Sequence, residues 1–168
     1  MTTRKSVILA FLIAVGILLQ LLESFVPVVM VVPGFKIGLA NLVSVFALMV
    51  YDKKSMWIVS LCRIVLSALL QGTIFGISFW LSLTGGLFAL VLMSIGYRSH
   101  LFSIYGISIL GAAGHSIGQV LMVTWIYQQY FMQLYLPILL ALSIVSGLVI
   151  AIIAQKMIER LKGKVLYG

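Results

Sequence analysis

The chain reads as an all-α membrane protein of six transmembrane helices with both termini in the cytoplasm, and three observations predict it. Hydrophobic residues fill 63% and charged residues 8% of the 168 positions, whereas a soluble globule is apolar at about half of its positions. The apolar residues fall in six runs, at 6–26, 37–51, 56–71, 74–97, 104–127 and 134–158. With the N-terminus inside, Arg4, Lys5, Lys53, Lys54, Arg98, Lys156, Arg160, Lys162 and Lys164 all lie in inner segments, which is nine of the eleven Lys and Arg. Only Lys36 falls in an outer loop, and Arg63 lies inside a run. The net charge of +8 therefore reads as topology and attraction to anionic lipid rather than as a nucleic-acid surface.

Arg4 and Lys5 precede the first run as they would in a secretory signal, but no small-residue cleavage site appears before Glu23. The run is read as an uncleaved helix with two polar or small faces. Gly16, Gln20, Glu23 and Ser24 share one near the outer end, and Ala10 and Ala14 occupy another near the inner end. The outer loop that follows, 27–36, is apolar, rich in valine and bounded by Pro27 and Pro33, which suits either a lid or a segment lying on lipid.

The second and third runs are short against the roughly 20 residues of a spanning helix, so they are the ones expected to be tilted, broken or sunk in the protein. In the third, Ser60, Arg63, Ser67 and Gln71 recur at intervals of three and four and form one stripe. A guanidinium stays charged, and its burial at bilayer depth costs at least a few kcal/mol, so this stripe must face inward to a polar partner or cavity. In the fourth run, Ser78, Ser82, Gly85 and Ala89 read as close helix packing, as do Ser143, Gly147 and Ala154 in the sixth. The fifth places Ser108, Gly111, His115, Gly118, Gln119 and Met122 on one broad face.

Glu23, Asn41, His115 and Gln119 all fall in the outer half at a rise of about 1.5 Å per residue, and the long stem of Arg63 lifts its head group toward them. A polar substrate pocket open to the exterior is expected, lined by Glu23, Lys36, Asn41, Arg63, Gln71, His115 and Gln119. One carboxylate against two fixed cations and a histidine favours an anionic or polar ligand. Bland readings stand beside this one. Arg63 paired with Glu23 would be a structural bridge, His115 bonded to a carbonyl would be helix packing, and the glutamines would be interhelical glue. Cys62 is the single cysteine, so no internal disulfide and no cysteine-built metal site is expected, and neither metal nor cofactor is indicated. No linker or low-complexity tract divides the chain, which is read as a single six-helix domain over 1–168.

The string Pro-Gly-Phe-Lys-Ile-Gly-Leu-Ala-Asn at 33–41 resembles the signature of the bacterial membrane proteins described as heptaprenyl diphosphate synthase component I, also called the Gx transporter family. Arg-Ile-Val-Leu-Ser-Ala-Leu-Leu-Gln-Gly at 63–72, Ser-Leu-Thr-Gly-Gly at 82–86 and Gly-Ala-Ala-Gly-His-Ser-Ile-Gly-Gln at 111–119 resemble its later blocks, with Ser116 where the pattern implies asparagine. The family is similar in turn to the S components of energy-coupling factor transporters. That resemblance implies six helices, an outward pocket capped by the first outer loop, and a small-residue face on the first helix, matched by Ala10 and Ala14, that docks on a transmembrane coupling subunit driven by a pair of ATPases. It also implies a multi-pass protein of the bacterial plasma membrane. The chain has no phosphate loop to hydrolyse ATP itself. Nor does it have the clustered carboxylates that prenyl transfer needs for magnesium: Glu23, Asp52 and Glu159 are its only acids and stand far apart, so no enzymatic activity is expected. Two functions remain, a substrate-capturing transporter subunit and a non-catalytic membrane partner of a prenyl synthase.

Overall fold

The computed structural model describes residues 3–25 and 38–166, with side chains for 3–23 and 38–160. Every regular element among them is helical: α1 Thr3–Phe25, α2 Asn41–Val50, α3 Lys53–Leu70, α4 Ile77–Ser99, α5 Ile104–Tyr127 and α6 Leu136–Leu166, with a 3-10 turn at Tyr130–Tyr135 leading into α6. The six predicted helices are present. Among the described residues, four stretches are long and apolar enough to cross a bilayer, Thr3–Glu23, Ile77–Ser99, Ile104–Tyr127 and Tyr130–Arg160. The other two helices are those the sequence marked as short.

The second run forms only ten helical residues, about 15 Å, because the chain enters it through a turn. Gly38 has φ +88°, and the Asn41 and Leu42 amides bond back to Gly38 and Leu39. Asn41 is thus the first residue of α2, one turn nearer the helix start than its place in the run suggested. All of Val43 to Leu48 is buried, since α2 packs against α1, α3, α5 and α6; a helix apolar all round is sunk in protein. By contrast α3 begins earlier than its apolar run, at Lys53, because Asp52 caps it by accepting from the Ser55 amide at 2.7 Å. It ends at Leu70, and Gly72, with φ +63°, turns the chain toward α4.

The charged chain ends gather at one end of the bundle. Lys5 meets Asp52 at 2.5 Å, and the bond from Lys5, then that from the Ser55 amide, holds the Asp52 carboxyl down at about 2. Lys53 lies over the Tyr97 ring, and Trp57 Nε1 donates to Ser94 Oγ at 3.2 Å. Above this end sits the main apolar core, centred on Leu12, Phe46, Leu48, Met56, Leu90 and Met93. A smaller cluster of Ile64, Ala68 and Phe79 lies toward the far end of α3. The seam of α4 with α5 is close because Gly114 and Gly118 face backbone: a Cβ on them would come within 2.8 Å of the Phe88 carbonyl oxygen and 2.6 Å of that of Thr84.

Candidate functional site

Arg63 is 4% exposed, on the inward stripe of α3 with buried Ser60 and Ser67. Its aliphatic stem lies across α1 at Gly16, where a Cβ would come within 2.6 Å of Cδ, so the missing side chain there makes the room. The guanidinium Nη1 donates to Gln20 Oε1 at 2.7 Å, and its Nε has no hydrogen-bond partner among the described residues. One turn further along α1, Glu23 accepts from the Gly38 amide, which ties the end of α1 to the turn that opens α2, and its charge acts on Arg63. A carboxylate is the acceptor best suited to a buried amide without a helical partner.

These groups enclose one hollow, bounded by Gln20, Glu23, Gly38, Asn41, Arg63, Ser82 and His115. It lies between mid-depth and the end of the bundle opposite the charged termini. The space left inside it is about 10 Å³, room for about one water. Asn41 Nδ2, which points toward Gly38, has no partner among the described residues. His115 lies against Gly85 of α4, where a Cβ would come within 2.8 Å of Nδ1. Gln119, one turn on, also packs on Gly85; it is 2% exposed and neither of its amide atoms has a partner among the described residues. An unpaired buried amide costs about 1–3 kcal/mol, so a fold that keeps several beside one hollow holds hydrogen-bonding capacity in reserve.

Of the residues expected in the pocket, Glu23, Asn41, Arg63 and His115 line the hollow, and Gln119 stands next to His115. Gln71 is set apart: its Nε2 donates to the Ser67 carbonyl at 3.1 Å, and it borders a neighbouring crevice with Gln20, Thr73 and Ser82. Gln71 caps the end of α3 at Leu70, and its side-chain amide folds back on that last turn. Lys36 and the expected lid at 27–36 lie outside the described residues. Gln20 went unselected as a site residue although it shares a face with Glu23 at a spacing of three; that spacing was the available signal. Ser82, read from sequence as packing, borders the hollow and donates to the Ser78 carbonyl at 2.8 Å. Ala10 and Ala14 lie on the exposed stripe of α1, with Val7, Phe11 and Leu18. No group of three or more metal-ligating side chains occurs among the described residues.

No curated protein matches the chain. Among solved structures, the S component of a bacterial ECF transporter is similar over 96% of this chain and 97% of its own, with a TM-score of 0.71 and 16% identity, a likeness of fold. The family model for heptaprenyl diphosphate synthase component I matches residues 12–157, through α2 to α5 and most of α1 and α6. This chain therefore belongs to the heptaprenyl diphosphate synthase component I family.

Proposed function

We propose that the protein is the substrate-binding membrane subunit of an energy-coupling factor type uptake transporter, capturing a small anionic or polar molecule from the exterior. The observation that carries this reading is the set of unspent groups beside the hollow: Arg63 Nε and Asn41 Nδ2 donate, and the Gln119 amide both donates and accepts. Three donors against one acceptor, with a fixed guanidinium among them, suit a ligand bearing carboxylate or phosphate oxygens. The Glu23 carboxylate balances Arg63, which makes the buried cation tolerable in the absence of a ligand's own charge. Because the hollow holds about one water, entry of a substrate requires the contact between Glu23 and Gly38 to open. The structural likeness to an S component supports the same reading, and with it a bilayer setting in the plasma membrane and a coupling subunit with two ATPases as partners. The exposed small side chains of Ala10 and Ala14 suit close approach of such a subunit's helix.

Purified protein should retain a small ligand in native mass spectrometry, and a panel of carboxylates, phosphates, vitamins and isoprenoids should identify it by thermal protection. Arg63→Ala should weaken that ligand's binding about a hundredfold or more while the helical signal persists. Ala10→Leu with Ala14→Leu should lower recovery of a coupling subunit and leave ligand affinity alone. Absence of protection across the whole panel would sink the reading.

The family description favours a second function, a membrane partner of a prenyl synthase that takes no part in catalysis. The three acids bear on the catalytic side of that question: Glu23 is at the hollow, Asp52 is bound by Lys5, and Glu159 accepts from Gln155 Nε2 at 2.9 Å. They form no magnesium cluster, so any role in that pathway is one of docking. Co-purification of a soluble synthase, undiminished by Arg63→Ala, would favour it.

A further inference from the structure

At the charged end, α1 and α6 both pack on α2 but, among the described residues, not on each other, and the cleft left between them has a volume of about 750 Å³. Phe46, Val50 and Tyr51 form its floor, Ile8, Leu12 and Met157 its walls. Its rim carries Arg4, Lys5 and Arg160. From Arg4 to Leu12 it runs eight residues along α1, about 12 Å, from the polar chain ends to the apolar core. Lys5 is already engaged by Asp52, and Glu159 by Gln155. Arg4 and Arg160 are exposed and make no ion pair among the described residues.

We propose that this cleft holds one anionic phospholipid of the inner leaflet, its phosphate on Arg4 and Arg160 and an acyl chain along Ile8, Leu12 and Phe46. The gradient from guanidinium to hydrocarbon over that depth is the gradient of a lipid molecule, and basic recesses between helices on the inner side suit anionic head groups. A second copy of the chain would bring the same cations to the rim, and like charges would oppose it. The cleft adjoins the alanine face of α1 at Phe11, which lines its edge, whereas its inner wall at Leu12 points about 160° away from Ala10. This inference does not depend on what the outer hollow binds.

The test is native mass spectrometry of the full chain released from nanodiscs containing equal phosphatidylglycerol and phosphatidylcholine. One phosphatidylglycerol should remain bound in preference to phosphatidylcholine. Arg4→Gln with Arg160→Gln should reduce its retention roughly tenfold to thirtyfold. Ile8→Trp, which fills the cleft and leaves the cations in place, should reduce retention of both lipids, with circular dichroism showing that each variant is folded. Equal retention of the two lipids, retention unchanged in the arginine variant, or displacement by millimolar inorganic phosphate would overturn the assignment. So would cross-linking of Ile8→Cys to a coupling subunit in place of lipid, which would make the cleft a protein interface.

Discussion

The two sides of α5 treat their polar residues in opposite ways. Toward α6, Ser116 Oγ and Ser143 Oγ are 2.6 Å apart, Ser143 donates to the Leu139 carbonyl, and Ser108 donates to the Gly147 carbonyl at 2.7 Å. A Cβ on Gly147 would come within 2.7 Å of the Ile109 Cα, so the helices touch and every one of these hydroxyls has a partner. Toward α4, Gln119 packs on Gly85 just as tightly and yet leaves both amide atoms without one. Burial is the same on both sides, and what differs is satisfaction. A hydroxyl that bonds across a seam stabilises the bundle, whereas a buried amide kept unpaired costs stability, a cost that the proposed ligand role would account for.

Exchange of Gln119 for methionine, which keeps the length and removes both polar atoms, is expected to have the larger effect on function. Ligand affinity should fall roughly tenfold, read by calorimetry in detergent, while the unfolding midpoint stays the same or rises, because an unpaired buried amide has been replaced by an apolar group. A smaller effect of the opposite kind is expected of Ser116→Ala. It should lower stability by about 0.5–1.5 kcal/mol through loss of the bond to Ser143, seen as a lower unfolding midpoint, and leave ligand affinity unchanged. The two side chains lie about one turn apart on α5 but meet different helices, Ser116 at Ser143 of α6 and Gln119 at Gly85 of α4, and share no partner, so their effects should add in the double variant. If Ser116→Ala weakens binding and Gln119→Met only lowers the midpoint, the contrast between the faces is wrong.

Much of the framework was legible in the residues. The stripe of Ser60, Arg63 and Ser67 is buried as its spacing requires, and Ser60 bonds Ser44 of α2 at 2.6 Å. Convergence of Glu23, Asn41, Arg63 and His115 on one hollow also follows from helical period and depth. Two features were not legible. Gln71 continues the same stripe by spacing, but the helix stops just before it at Leu70 and its amide turns back to Ser67. The guanidinium partner is Gln20, and nothing local to α1 decides whether Gln20 or Glu23 reaches Arg63 first; that depends on how far α1 is shifted along α3.

The chain's own composition and periodicity determined that it is a helical membrane protein, where its helices run, which end carries the cations and which faces are polar, because hydrophobicity, helical period and the charge rule act within a few residues of each other. Tertiary structure alone decided which four helices surround α2, that the hollow beside Arg63 is closed down to about one water, and that α1 and α6 leave a cleft over Phe46. Those outcomes depend on the rotation and axial offset at which separate helices pack, and a shift of one residue, about 1.5 Å and 100°, exchanges one polar partner for another.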